Sequence, residues 1–222
     1  KDAPDALNNT AWAKPLESRI EVYGLPQYGE IAPPLLMAFT ITLFFGFMLG
    51  DVGYGIVTLA LTLVLGRVLP VALKPIFQVI ALSALATIAF GFVFGEVFGY
   101  EFVEHPLLNR VHDINTMILI SIAVGVLHIN FGFMLGLLNE LKHHSFITAF
   151  FRKGAWITLQ VGAGILAYGF MQANQVLQIG GAVLSVASIL MVIKGEGFLR
   201  IVELPALLSN TLSYIRLYAI GL

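Results

Sequence analysis

The 222-residue chain has no cysteine, which excludes disulfides and thiolate metal sites and leaves its compartment unreadable from redox chemistry. Charge is scarce. Asp, Glu, Lys and Arg together make up 11%, where a soluble domain carries roughly a quarter. The net charge of −1 gives no basis for binding nucleic acid or an anionic surface. No nucleotide fingerprint, nucleophile–base pair or zinc-binding helix motif occurs, so neither covalent chemistry nor a cofactor is expected. The first 30 residues are polar, contain Pro4, Pro15 and Pro26, and lack the apolar core of a signal peptide. The chain starts without Met and stops inside an apolar run, Tyr218–Leu222, so it is expected to be a piece of a longer protein, truncated at both ends.

Apolar residues are plentiful: they make up 58% of the chain, and the mean hydropathy is +0.89. Lipid as solvent accounts for this excess, because apolar side chains there need no burial against one another. The expected fold class is all-α, a polytopic transmembrane helical protein. A lead-in segment, residues 1–32, precedes a transmembrane domain, residues 33–222. Breaks in the apolar pattern predict spans at 33–51, 53–73, 75–99, 115–138, 151–173, 176–193 and 204–222, the last one truncated. Each is near the ~20 residues needed to cross ~30 Å of hydrocarbon. The first turn is placed at Asp51–Gly55, where glycines accept turn dihedrals and Asp prefers water.

Basic residues set the orientation. With the N-terminal segment in the cytoplasm, Lys1, Lys14, Arg19, Arg67, Lys74, Lys142, Arg152, Lys153, Lys194 and Arg200 all fall inside. Only Arg110 falls outside, among Asp51, Glu96, Glu101, Glu104 and Asp113. The pattern F-G-F-x-x-G recurs at Phe45–Gly50, Phe90–Gly95 and Phe131–Gly136. Glycines four apart let helix backbones approach closely in lipid, so these copies read as packing motifs rather than as the inverted repeats of a transporter.

An ionisable group inside a span is a functional candidate, because holding it there is expensive. Arg216 is the one basic residue deep in a predicted span, roughly 18 Å along the helix from its start. It stays charged in any surroundings. At 100° per residue, Ser209, Ser213 and Arg216 share one stripe, and Glu203, Asn210 and Tyr214 share another about a quarter turn away. One face is expected to meet a partner and the other to line a hydrated path. The bland reading of Arg216 is a bridge between two helices through a buried carboxylate or backbone carbonyls.

Residues Ser209–Leu222, S-N-T-L-S-Y-I-R-L-Y-A-I-G-L, resemble the segment around the essential arginine in the a/I subunit of V/A-type rotary ATPases. Phe47–Gly55 is similar to that subunit's first membrane hairpin, and Gly125–Gly132 to its histidine-bearing middle helix. The resemblance covers nearly the whole chain. It implies a stator subunit that provides ion half-channels, for protons or sodium, against a rotating ring of proteolipid subunits. Peripheral-stalk and central-shaft subunits and the lipid bilayer are the other partners implied; ATP hydrolysis would belong to other subunits. Arg216 would pair with a ring carboxylate, and Glu203, Ser209, Asn210, Ser213 and Tyr214 would line the cytoplasmic half-channel. The closing Y-I-R-L-Y-A-I-G-L is nearer to bacterial and archaeal forms, which implies a plasma membrane. The chain departs from the family subunit in lacking its N-terminal cytoplasmic domain and its last helix.

His128 shares a stripe with Ser121 and Asn139 and reads either as a proton relay or as a hydrogen-bonded interhelical histidine. Asp51 and Glu96 read as a cation funnel or as helix-end residues reaching water. His105, His112, Glu101, Glu104 and Asp113 fit no metal-ligand spacing. His143 and His144 lie in a basic loop that would face the cytoplasm. The competing functional classes are a stand-alone secondary ion transporter and a structural membrane scaffold.

Overall fold

The computed structural model describes residues 33–68, 70 and 73–221. The lead-in segment 1–32 therefore lies outside the described residues, as does Leu222. The described chain is helical apart from one two-stranded hairpin. Its contacts divide it into two units, residues 1–121 with 214–222, and residues 122–213.

The first unit contains α1 (Pro33–Leu49), α2 (Val52–Val68) and α3 (Lys74–Phe94). The hairpin strands β1 (Glu96–Val97) and β2 (Tyr100–Glu101) follow, and then the start of α4 (Ile114–His143). The chain turns at Gly50 and Asp51, ahead of the expected Asp51–Gly55, and Gly53 and Gly55 lie inside α2. Gly50 takes φ +30°, a value that suits glycine. The span expected to reach residue 99 ends at Phe94, where Gly95 adopts a left-handed conformation and accepts the role of helix stop. Helix α3 packs against both α1 and α2. Phe47, Phe90 and Phe94 form an aromatic cluster with ring centroids 5.5–6.0 Å apart.

The repeated glycine pattern serves two purposes. A Cβ on Gly91 would collide with the backbone of Asp51 and Val52, so this copy is a close helix approach, as expected. The third copy differs: a Cβ on Gly132 would meet nothing within 4 Å among the described residues, and one on Gly136 would meet only the Lys153 side chain, at 3.4 Å.

The second unit holds the rest of α4, the short α5 (Phe146–Ala149), a π-helical turn (Phe150–Gly154), α6 (Ala155–Met171) and α7 (Gln175–Glu196). A 3₁₀ turn (Phe198–Val202) leads into α8 (Glu203–Ser213). Helices α6 and α7 form an antiparallel pair whose turn is set by Asn174; its side chain accepts the N–H groups of Val176 and Leu177 at 3.0 and 3.3 Å. Within the pair Ser188 donates to Thr158 at 3.0 Å, and Trp156 stacks on Phe133 of α4 at 5.8 Å. Asn130 and Gln160 exchange amide hydrogen bonds at 3.0 and 3.3 Å, interhelical glue of the kind apolar surroundings favour.

Among the described residues four helical stretches are long and apolar enough to cross a membrane: Ile76–Phe94, Ile114–His143, Phe146–Met171 and Gln175–Glu196. Helices α1 and α2, at 17 residues each, fall just short. Large apolar side chains such as Phe39, Leu61, Leu119 and Val183 stand exposed along these helices, the surface a lipid-facing helix needs. The last expected span is interrupted at Tyr214, whose own dihedrals stay helical at φ −69° and ψ −15°. It stops at Ser213 and resumes as α9 (Ile215–Ala219) in the first unit. The side-chain hydroxyls of Thr211 and Ser213 donate back to the carbonyls of Leu207 and Asn210, at 2.9 and 2.6 Å, and beyond them Leu217 N–H bonds Tyr214 three residues back rather than Ser213. Such back-bonding competes with the helical ladder.

Candidate functional site

Arg216 lies on α9, one residue before the buried Leu217 and two before the buried Tyr218, and it is exposed. Among the described residues its guanidinium makes no ion pair and no side-chain hydrogen bond, so the structure does not supply the carboxylate or carbonyls of a helix-bridging arginine. Tyr214, half-buried, meets the Phe44 ring edge-on at 5.7 Å. These two candidates belong to the first unit.

The remaining candidates on the predicted last span belong to the second unit. Ser209 and Asn210 are exposed, and Ser213, half-buried, is occupied by its bond to Asn210. Glu203 is exposed and paired with Arg200, three residues earlier. His128 is half-buried on α4. Ser121, on the same stripe, is fully buried and its hydroxyl has no partner among the described residues.

The densest polar cluster is one that sequence reasoning passed over. Arg110, 3% exposed, donates to the carbonyls of Phe47 at 2.7 Å and Gly221 at 2.8 Å, with Leu49 at 3.5 Å. Glu96 lies 3.6 Å away, and the guanidinium covers the Phe94 ring at 4.1 Å. The Tyr218 hydroxyl donates to the Arg110 carbonyl at 3.0 Å. The loop carrying Arg110 is fixed by Asn109, whose side chain accepts the N–H groups of Val111 and His112 and donates to Glu101. Burial lowers the Arg110 pKa, and the neighbouring Glu96 and Asp51 charges oppose that. For Glu96 burial acts first and raises the pKa; the Arg110 charge pulls the other way, and Asp51 and Glu101 add to the rise. The signal available in the sequence was Arg110 itself, the lone base on the acidic side.

Asp51 is 2% exposed, so it does not reach out to water as a helix-end carboxylate. It accepts the N–H groups of Tyr54 and Gly99, each at 2.8 Å. Burial alone would raise its pKa; the backbone donors at Tyr54, Gly99, Phe98 and Gly53 outweigh it and hold the carboxyl below its ordinary value. Its bond to Gly99 also steadies the hairpin, in which Phe98 takes φ +50° and Gly99 +75°. An aromatic residue there is unfavourable, and the Phe98 ring is compensated by an edge contact with Tyr54 at 5.4 Å. Asp51, Tyr54, Glu96 and Arg110 line a cleft of about 250 Å³ together with Ile220 and Gly221.

In the second unit, Glu196 at the end of α7 is a further missed residue. It accepts Lys153 Nζ at 2.7 Å and Trp156 Nε1 at 3.1 Å, with Arg200 Nε at 3.8 Å. The π-helical turn brings Lys153 to it, and Gly195 allows the Phe151 backbone close. Arg152 pairs with Glu140 at 3.2 Å, and His144 stands within 3.7 Å of the same carboxylate.

The apolar helices and their internally satisfied polar groups define a polytopic α-helical membrane protein. No family model matches the chain. Curated relatives do: the A-type ATP synthase subunit I of Methanothermobacter thermautotrophicus is 30% identical over 235 residues, that of Archaeoglobus fulgidus 28% over 286, and that of Thermococcus kodakarensis 29% over 242. Each alignment takes in the full chain, which spans 34, 42 and 36% of the respective relative. Along its full length the chain is similar to A-type ATP synthase subunit I, the subunit its motifs resemble.

Proposed function

We propose that this chain is the ion-conducting membrane part of the stator subunit of a V/A-type rotary ATP synthase, working against a rotating ring of proteolipid subunits. The observation that carries the reading is Arg216, a permanent charge on a short helix of a membrane protein, exposed and without an ionic partner among the described residues. A bare guanidinium facing lipid would be costly, so it requires a partner of opposite charge. A ring carboxylate meets that need. Held within ~4–6 Å, Arg216 favours the ionised carboxylate, lowering its pKa by about 1–3 units. The ion must then leave before the carboxylate passes and be regained beyond it. Proton and sodium are both compatible with this chemistry.

Ser209, Asn210, Ser213 and Tyr214 are proposed as polar lining of the cytoplasmic half-channel, and the N-terminal side is assigned to the cytoplasm of a bacterial or archaeal plasma membrane. Glu203 is a weaker contributor, since Arg200 already neutralises it. The chain would perform no covalent step; other subunits would hydrolyse or make ATP, and peripheral-stalk and central-shaft subunits would complete the motor. The test is ATP-driven ion uptake by vesicles holding the complete complex, native against Arg216→Gln. Uptake should vanish while the complex still assembles. Uptake at the native rate would reduce Arg216 to a surface charge and leave a scaffold role standing.

A further inference from the structure

We propose that Arg110 is a positioning residue for Arg216, setting the rotation and height at which α9 presents that charge. The inference rests on the stator reading. Helix α9 runs only five residues beyond the interruption at Tyr214, too few to fix its own placement. Its placement comes from contacts made outside it. The Phe44 ring meets Tyr214 at the start of the segment. The far end of the segment is tied to Arg110: its guanidinium donates to Gly221, just past the helix, and its carbonyl receives the Tyr218 hydroxyl. The same guanidinium donates to Phe47 on α1, so one side chain fixes the end of α9 to the end of α1.

Direction follows from helical geometry. Residues two apart on a helix point about 200° apart. With Tyr218 buried and fastened to Arg110, Arg216 faces away from the packed side, and it is exposed as that requires. The planar fork also explains the residue type. Nη1 donates to Gly221 and Nη2 to Phe47 while the group pairs with Glu96, a spread that Arg's planar fork spans and the single nitrogen of Lys matches poorly. It accounts too for the one basic residue left on the acidic side.

The experiment compares native complex with Tyr218→Phe, Arg110→Lys and Arg216→Gln, measuring ions taken up per ATP hydrolysed in assembled complexes. A merely structural contact would lower the yield of complex and move uptake and hydrolysis together, leaving that ratio unchanged. Displacing Arg216 lowers uptake relative to hydrolysis. The ratio should fall about threefold in Tyr218→Phe, where one hydrogen bond is lost, and about tenfold or more in Arg110→Lys, where the helix end is released. A native ratio in both variants overturns the inference. So does loss of assembly in both, since the contacts would then fold the chain rather than aim Arg216. Arg216→Gln separates the two claims: if it keeps native uptake the stator reading fails, and if it alone loses uptake only the positioning role fails.

Discussion

Arg110 and Arg216 carry the same charge in the same unit of the fold, and their surroundings are opposite. Arg110 is enclosed, with two short bonds to backbone carbonyls, an ion pair and an aromatic face. Arg216 is exposed, and no described side chain answers its charge. A buried charge held by short bonds and an ion pair is fixed in place, and its value lies in what it holds. An unanswered charge on a membrane helix is available to something outside the chain. The difference is the one expected between a residue that builds a site and one that acts in it, the role proposed for Arg216.

The largest expected effect tests that separation directly. Arg216→Gln should abolish ATP-driven uptake and leave the melting temperature of the purified chain in detergent within error of native. Arg110→Gln should do the reverse to stability. It takes the cation from the half-buried Glu96 and leaves a shorter, neutral amide to serve the Phe47 and Gly221 carbonyls, a loss of up to about 3–5 kcal/mol by the measure of other broken buried pairs. Equal destabilisation in both variants would erase the contrast.

A second pair of changes sharpens the account of the hairpin end. Asp51→Ala removes the acceptor for Tyr54 and Gly99 and should destabilise by about 2 kcal/mol. Asp51→Asn keeps one acceptor oxygen and should cost less. Denaturant titration in mixed micelles reads the difference; equal losses would mean that shape rather than hydrogen bonding matters there.

Acidification is expected to have a smaller effect, in which two carboxylates oppose each other. The Asp51 pKa is depressed in the fold, so its contribution is present above its unfolded value of about 3.9 and is lost as pH falls through and below it. The Glu96 pKa is raised, so its contribution is full below about 4.3 and fades as pH rises through its folded value. Glu96→Gln removes the opposing member. Amide exchange across residues 96–101 should then rise more steeply with acid than in the native chain, between about pH 6 and about pH 3. An unchanged slope would place the acid response elsewhere.

The all-α membrane fold was legible in the sequence because lipid imposes a local rule: about twenty apolar residues, among which a charge such as Arg216 is conspicuous. Arg110 was visible only as an exception to the distribution of basic residues. Its partners are carbonyls, which every residue has, and they lie 63 positions before it and 111 after it. No local pattern encodes such a contact. The hairpin was hidden for a related reason. Its turn uses Phe98-Gly99 where Asn-Gly would have announced it, and the distant Asp51 makes that choice tolerable. The break at Tyr214 also escaped, because Thr211 and Ser213 fit a helix as readily as they interrupt one. The glycine copies also differ in what they meet, since spacing alone does not say what lies opposite.

The smallest expected effect concerns Glu203, which the family resemblance places on the ion path and the geometry places beside Arg200. Both side chains are largely exposed, three residues apart along one helical segment. Exposed pairs of this kind contribute little and are screened by salt. If Glu203 serves only Arg200, Glu203→Gln should leave uptake within about twofold of native, and raising salt should not widen the gap. If Glu203 conducts, uptake should fall well beyond that while Arg200→Gln, which frees the carboxylate, leaves it intact. Measuring both variants in the same vesicles decides whether the acidic start of α8 belongs with Arg216 as a residue that acts, or with Arg110 as one that holds.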